Sequence, residues 1–313
     1  MLWRRLSVRV WGLGLLVIVV SGAVAYLVLA RGAKLTITET LLRRQQIIAR
    51  AEAANITSFF QVFGDSLAVF AQLSSMKGRD ARTLEDMNVF VEQWRDSNLV
   101  GGIVLTDNQG KVRLNANVLG THDVGILLAD RDYFAWAKVK PEAGEYFLGE
   151  PVISRLGATK GQLIVPVAGA VYDGESGFVG ALTASVKLKP LTERYLALMK
   201  VSDQTDVYLT NEQGELLYSS SVADAVGSSV FELLPELKNK LNQAQEGRLQ
   251  TREYLTAYSP LLLGNRNWWL IVVSPVQDVI DLAVPIFVRQ VLVLLLVACS
   301  MVLFGVVAAR DAS

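Results

Sequence analysis

The longest uninterrupted apolar stretches of the chain lie at its two ends. Residues 10–30 and 291–309 contain no charged residue, and at about 1.5 Å of helical rise per residue each stretch can cross the ~30 Å hydrocarbon core of a bilayer. The pattern predicts two transmembrane helices, at 10–30 and 284–309. The small residues 23–25 resemble a signal-peptide cleavage site, but the apolar run continues to Ala30, which favours an uncleaved anchor.

A helical pattern follows the first apolar run. Apolar residues recur at every seventh position, which is typical of one face of a long helix: Leu35, Leu42, Ala49, Ile56, Phe63 and Phe70. Residues 31–75 contain no proline, so the pattern predicts one stalk helix there. A shorter helix is predicted at about 83–95. Because Leu35 and Leu42 offer an apolar seam close to the membrane, we also expect a homodimer.

From Gly101 the apolar period changes to two, which predicts antiparallel strands joined by polar turns. The stretch "IVLTDNQGKVRLNA" at 103–116 is nearly repeated as "VYLTNEQGELLYSS" at 207–220, so each is expected to be a hairpin of one β-sheet module. The remaining strands are predicted at 145–154, 161–172, 177–188, 247–262 and 268–276, with a helix connecting the modules at 190–200.

These elements predict an α+β fold in which a long N-terminal stalk helix carries two stacked antiparallel sheet modules between two transmembrane helices. The predicted segments are a cytoplasmic tail (1–9), the first membrane helix (10–30), the stalk (31–75), the distal module (76–190), the proximal module (191–283), the second membrane helix (284–309) and a cytoplasmic end (310–313).

Charge adds information on topology and on partners. Lys and Arg balance Asp and Glu at 30 each, so the chain lacks the basic excess of a nucleic-acid-binding protein and no nucleic acid is expected as partner. Arg4, Arg5 and Arg9 precede the first apolar run, and the positive-inside rule places them in the cytoplasm. A two-pass protein of the plasma (inner) membrane follows, with residues 31–289 outside.

The stretch "ADRDYFAWAK" carries the most candidate chemistry. Arg131 lies beside Tyr133, Phe134 and Trp136, and a cation among aromatic rings can bind a carboxylate while the rings enclose its organic part. Asp130 is predicted as the N-cap of a short helix. Core packing of the aromatic residues remains the alternative. Further candidate walls of a ligand site are Tyr146, Arg113 and Asn115.

No catalytic or metal site can be assembled from the sequence. No nucleophile, base and orienting residue occur in a recognisable set, so an enzyme is not expected. His122 is the only histidine, and Cys299 is the only cysteine and lies in the second apolar run, which excludes zinc-type clusters and disulfides. No cofactor is predicted.

The order of these elements resembles the double Cache sensor domain of bacterial chemoreceptors, histidine kinases and diguanylate cyclases. The similarity extends over about residues 33–281, and its most similar stretches are "DRDYFAWAK", "GEPVISRLGATKGQLIVPVAGAVYDGESGFVGALTASVKL" and "NWWLIVVSP". The resemblance implies two PAS-like modules on one stalk and a ligand site in the distal module. In amino-acid-sensing members an Arg-x-Trp-Tyr stretch holds the ligand carboxylate and an Asp holds the amino group.

This chain keeps part of that pattern. Arg131, Tyr133 and Phe134 match the cation and the two aromatic positions, whereas Ser185 stands where the aspartate is expected and Ile126 where an aromatic residue is usual. An ammonium group without an anion is costly in a desolvated pocket. The resemblance therefore implies a small organic acid or a neutral metabolite as the ligand, rather than an α-amino acid.

The function expected from the sequence is a membrane-anchored extracytoplasmic sensor. It would bind its small-molecule ligand in the distal module and signal through its membrane helices to a cytoplasmic partner or to an output domain. The alternative is a structural two-helix membrane protein of the cell envelope, similar to polysaccharide co-polymerases. Those proteins are chiefly helical outside the membrane, so the predicted strands argue against the alternative.

Overall fold

The computed structural model describes residues 2–121, 123–139, 141–142, 144–174, 177–200, 202–221, 225–241, 245–278 and, near the C-terminus, 288–289, 291–293, 296–297 and 299–300. The chain divides into two compact units. One contains residues 1–45, 248–256 and 273–313, and the other contains residues 46–247 and 257–272.

One helix dominates the N-terminal part. Helix α1 spans Leu2–Ala71, so the predicted membrane helix and the predicted stalk form one continuous helix, which ends four residues before the predicted end at residue 75. Helix α3 begins two residues earlier than predicted, because Asp80 and Thr83 form a capping box at its N-terminus. The other helices are short: α2 (Ser75–Gly78), α3 (Ala81–Gln93), α4 (Asp132–Lys138), α5 (Leu188–Leu196), α6 (Val230–Leu233) and α7 (Lys238–Leu241).

The first sheet has the order β2-β1-β6-β5-β3, with β4 also paired to β5. Its strands are β1 (Val100–Thr106), β2 (Val112–Asn117), β3 (Tyr146–Leu148), β4 (Val152–Ile153), β5 (Leu163–Asp173) and β6 (Gly177–Lys187). The single strand predicted at 145–154 is wrong, since it is interrupted between β3 and β4. Pro151 lacks an N–H group there, and the N–H of Glu150 is bonded to Asp132 rather than to a strand.

The second sheet has the order β8-β7-β11-β10-β9. Its strands are β7 (Asp206–Thr210), β8 (Leu216–Ser219), β9 (Gly247–Gln250), β10 (Tyr254–Leu263) and β11 (Arg266–Pro275). The strand predicted at 247–262 is divided into β9 and β10. The hydroxyl of Thr251 accepts hydrogen bonds from the N–H groups of Glu253 and Tyr254, which forms a local turn at this point.

The repeated sequence forms the same hairpin in both sheets. The Asp107 carboxylate accepts the N–H groups of Gln109 and Lys111 in the first turn. The Asn211 side chain accepts the equivalent N–H groups of Gln213 and Glu215 in the second. The glycines Gly110 and Gly214 have positive φ angles of 84° and 79°, a conformation that other residues rarely adopt. The sequence repeat therefore marks one hairpin in each of two sheets, as predicted.

The main core lies between α1 and the sheets. Ala49, Ile56 and Phe63 of the predicted stripe are completely buried, and Phe70 packs against the same core. At the start of the stripe Leu35 is 69% exposed, whereas Leu42 is only 5% exposed. Of the two residues predicted to form a dimer seam, only Leu35 is therefore available to a partner.

Among the described residues, one helical segment, Val20–Ala71, has the length and apolar composition to cross a membrane. Most of the second predicted membrane helix, 284–309, and the whole of 310–313 lie outside the described residues. The two-pass arrangement stays a prediction.

Candidate functional site

The candidate site is the side of the first sheet that faces away from the main core, which we call the covered face. Ile103, Val165 and Leu182 belong to the core that includes α1, and successive side chains of a strand point to opposite sides. The alternate positions therefore form the covered face: Val104, Thr106, Asn115, Asn117, Ala168, Thr183 and Ser185.

Two segments, 123–139 and 149–162, pack on this side of the sheet, and we call them the cover. The first segment includes α4, and the second includes β4. Their apolar side chains Leu128, Tyr133, Phe134 and Leu156 pack with Val104, Val112, Ala168 and Ala181. The cover shields this side of the sheet from water, as a ligand site requires.

Polar bonds fix the cover to strand β2. The Asn117 carboxamide oxygen accepts the N–H of Thr121 at 3.2 Å, and its nitrogen donates to the Asn115 oxygen at 3.0 Å. The Asn115 nitrogen donates to the carbonyl of Asp123 at 3.4 Å, and the Asp123 carboxylate accepts the N–H of Gly157 at 2.8 Å. The predicted site residue Asn115 is thus buried on the covered face, and its amide is engaged in holding the cover.

An ion pair connects the two segments of the cover. The Arg155 guanidinium donates two bonds, of 2.9 and 2.6 Å, to the Asp130 carboxylate, and this pair holds the pKa of the Asp130 carboxyl below its ordinary value. Asp130 was predicted as the N-cap of α4. The structure instead places Arg131 at the N-cap, with extended backbone and no side-chain capping bond. The Asp130 carboxylate does not cap the helix because it is bonded to Arg155.

Arg131 is one of three cations of the cover, with Lys138 and Lys160, that have no carboxylate partner among the described residues. Its Nη2 donates a long 3.3 Å bond to the carbonyl oxygen of Ile153, and no ion pair among the described residues includes it. The adjacent Tyr133 is 4% exposed, and burial raises the pKa of its hydroxyl. Arg131 and Tyr133 thus both belong to the first segment of the cover, and their role in binding a ligand stays a prediction.

The other aromatic candidates do not share one surface with Arg131. Phe134 fills the apolar cluster and meets Phe178 edge to face, with ring centroids 5.7 Å apart. Trp136 stacks on Phe147 at 5.3 Å. Tyr146 lies on the opposite side of the sheet and packs against the main core, where a Cβ at Gly64 of α1 would be 2.5 Å from its ring.

The two remaining candidates lie on β2 and β6. Arg113 pairs with Asp107 at 2.8 Å. Burial opposes ionisation of Asp107, but the N–H groups of its turn and the Arg113 guanidinium hold the pKa of this carboxyl below its ordinary value. Ser185 is half-buried and lies opposite Gly102 and Pro166 in the sheet register.

Sequence reasoning missed Thr183. This residue is 4% exposed, and its hydroxyl has no hydrogen-bond partner among the described residues. Thr106, on the same face, accepts the N–H of Ala181 at 2.9 Å. A buried hydroxyl without a partner is uncommon and indicates either strain or an unfilled binding position. The stretch "ALTASVKL" could have indicated Thr183, because this residue precedes the predicted site residue Ser185 by two positions and so lies on the same face of the strand.

Lys187 was also missed. A cavity of about 660 Å³ opens at the end of β6, and its lining includes Ala158, Gln162 and Lys187. The Lys187 amine donates to the Asn98 oxygen, and burial lowers the pKa of this amine. The cavity lining also includes Lys189 and Glu193, whose side chains lie 3.9 Å apart, so this space carries two cations and one carboxylate.

Within the part of the chain that the structure describes, no group of three or more His, Cys, Asp or Glu side chains could hold a metal ion. His122 lies outside the described residues.

Comparison with solved structures finds many folds of the same kind. The extracellular domain of the histidine kinase candidate vpHK1S-Z8 matches with a TM-score of 0.61 at 14% identity, covering 81% of this chain and 96% of that one. The ligand-binding domain of the Pseudomonas fluorescens chemoreceptor CtaA, in complex with L-isoleucine, gives 0.57 at 18% identity, covering 79% and 97%. Methyl-accepting Chemotaxis protein X gives 0.58 at 16% identity, covering 76% and 98%.

Sequence comparison gives a second, independent result. No curated protein matches the chain. The family model described as the Cache domain matches residues 31–283, a range that contains most of α1, both sheets and the cover. A match of that extent, on a fold with a long N-terminal helix and two antiparallel sheets, shows that the chain belongs to the Cache domain family.

Proposed function

We propose that the chain is a membrane-anchored extracytoplasmic sensor that binds a small organic acid or a neutral metabolite between the covered face and the cover. The observation that carries the proposal is Arg131, a cation on the cover whose guanidinium bonds to one carbonyl oxygen and, among the described residues, to no carboxylate. Tyr133 stands two positions after it on the cover, and the hydroxyl of Thr183 is buried without a hydrogen-bond partner in the part of the chain that the structure describes. A carboxylate could pair with Arg131, and the hydroxyl could bond to a polar atom of the same ligand.

The charges of the site favour an acid or a neutral molecule over an α-amino acid. The described carboxylates of the cover already have partners, since Asp123 accepts the N–H of Gly157 and Asp130 pairs with Arg155. Ser185 offers a hydroxyl where an ammonium group would need an anion. The related chemoreceptor domain was solved with L-isoleucine, so this amino acid is a suitable comparator in a binding test.

We further propose that the protein acts as a homodimer and transmits ligand binding through its membrane helices to an output domain or a cytoplasmic partner. The continuous helix α1 supports this mode, because it joins the predicted membrane segment to the core of the sensor. Both ends of the chain are proposed to be cytoplasmic. A reporter that is active only outside the cell should stay silent when fused after Ser313, and activity there would contradict this topology.

Binding to the covered face can be tested by calorimetry on the full chain. We suggest acetate, lactate, pyruvate and succinate, with acetamide and lactamide as uncharged counterparts and L-isoleucine as comparator. For a carboxylate that binds, Arg131→Ala should weaken binding by about 2–5 kcal/mol, since a charge-assisted pair is lost. The melting temperature of the free protein should hardly change. Arg252→Ala, an exposed cation outside the site, is the matched control.

Two outcomes would contradict the proposal. Full affinity in Arg131→Ala together with a lowered melting temperature would assign Arg131 to the scaffold. An equal loss of affinity in Arg252→Ala would show that the effect is general electrostatics rather than a specific pair.

A further inference from the structure

Arg266, at the first position of β11 in the second sheet, makes an unusual set of bonds to the first sheet and its cover. Its side chain is only 14% exposed. The Nη2 atom lies 2.6 Å from the Asp132 carboxylate, while Nη1 lies 3.1 Å from Glu150 and 3.4 Å from Glu212. The Nε atom donates to the carbonyl of Leu148 at 3.2 Å. All three guanidinium nitrogens are therefore engaged, in the forked geometry that only arginine provides.

Asp132 transfers this contact to the start of α4. Its Oδ1 atom accepts the N–H of Tyr133 at 2.8 Å, and its Oδ2 atom accepts the N–H of Glu150 at 3.1 Å as well as the Arg266 bond. Asp132 directly follows Arg131 in the chain. In the sequence, the residue that Arg266 holds therefore lies between Arg131 and Tyr133, the two cover residues of the proposed ligand site.

Further contacts join the same β10–β11 turn to strand β3 of the first sheet. The Asn265 side chain accepts the N–H of Leu148 and donates to the carbonyl of Leu148, both at 3.0 Å. The Arg266 guanidinium also lies 5.8 Å from the ring centroid of Phe147, which in turn stacks on Trp136 of α4. The β10–β11 turn therefore contacts both β3 and, through Phe147, the far side of α4.

We propose that Arg266 is a positioning residue of the ligand site: it holds Asp132, and with it the first turn of α4, in the orientation that presents Arg131 and Tyr133 to the ligand. The inference rests on the proposed function for the identity of the site. Without Arg266 the three carboxylates Asp132, Glu150 and Glu212 would face each other without the cation that now pairs with them. Their mutual repulsion would move α4 away from the start of β11.

The position of α4 can be measured without any ligand. In a Cys299→Ser background of the full chain, cysteines at the exposed positions Ala135 and Lys111 can carry nitroxide labels. Pulsed electron resonance then gives the distance between α4 and the residue that directly precedes β2. We expect one narrow distance peak in the parent protein and a broadened or shifted peak in Arg266→Gln. Arg266→Lys should fall between them, because an ammonium group keeps the charge but cannot reach the same partners at once.

The partner through which Arg266 acts is tested by Asp132→Asn. If Arg266 acts through Asp132, the double variant should show no further change than Asp132→Asn alone. The control is Arg248→Gln, which removes a more exposed ion pair, to Glu39, and should leave the distance peak narrow. If Arg266→Gln does not fold, the intermediate distribution expected of Arg266→Lys still decides the question.

Binding gives the functional readout. For any of acetate, lactate, pyruvate or succinate that binds the parent protein, Arg266→Gln should weaken the affinity about tenfold, a coupling typical of linked sites. Unchanged distances in Arg266→Gln, or equal broadening in Arg248→Gln, would overturn the inference. Changed distances with no binding by the parent protein would refute the proposed function and leave the positioning role of Arg266 intact.

Discussion

At the scale of single residues, the covered face contains two buried threonines with different environments. Thr106 exchanges hydrogen bonds with the backbone of Ala181, accepting its N–H at 2.9 Å and donating to its carbonyl at 3.3 Å. Thr183 is almost equally buried, but its hydroxyl has no partner among the described residues. A buried hydroxyl without a partner costs free energy in the unliganded protein, which a ligand bond would recover.

The two threonines should therefore respond in opposite ways to replacement by valine. Thr183→Val should raise the free energy of unfolding of the free protein by about 1 kcal/mol, because an unpaired hydroxyl is replaced by a methyl group. Thr106→Val should lower it by about 1–3 kcal/mol, since the N–H of Ala181 loses its partner. Denaturant unfolding of both variants measures this. A loss of stability in Thr183→Val would show that its hydroxyl is already satisfied in the free protein.

At the scale of elements, the close contact between α1 and β3 depends on Gly64. A Cβ at this position would lie 2.5 Å from ring carbons of Tyr146, too close for a real contact. Gly169 makes a similar approach from the sheet, where an added Cβ would be 2.9 Å from the Cβ of Ala71. Small residues on both elements thus allow the helix to pack directly on the strands.

Gly64→Ala should destabilise the protein even though alanine favours a helix by about 1 kcal/mol. The added methyl group overpacks the contact with Tyr146, at a cost of about 1–3 kcal/mol. Gly32→Ala is the matched control in the same helix, because nothing lies within 4 Å of the added atom, and it should be neutral or stabilising. In a Tyr146→Leu background the penalty of Gly64→Ala should shrink. A stabilising effect of Gly64→Ala alone would refute this packing.

The same elements show what could be predicted from the sequence. The seven-residue stripe predicted the buried face of α1, because Ala49, Ile56 and Phe63 recur at helical spacing over many turns. The side of the sheet on which Tyr146 lies could not be predicted, since β3 has three residues and is too short for alternation to assign a face. The contact of Arg266 with Asp132 joins distant parts of the chain, and no local pattern encodes it.

At the scale of the whole molecule, the two sheets share a hairpin but differ in their cover. The first sheet is covered by segments that carry Arg131, Tyr133 and the Asp130–Arg155 pair. The corresponding region of the second sheet, in its described part 225–241, contains the buried apolar residues Val230, Leu234 and Leu237 and no arginine. We therefore propose that ligand binding belongs to the first sheet and that the second sheet transmits it.

The most direct test of this account is amide hydrogen exchange on the full chain, with and without a saturating concentration of whichever carboxylate of the panel binds. A ligand between the cover and the covered face should slow exchange in peptides from 123–139 and 149–162, because binding stabilises the closed cover. Peptides from 225–241 should exchange at the same rate in both states. Slowed exchange confined to 225–241, with the cover unchanged, would contradict the assignment of the ligand site to the first sheet.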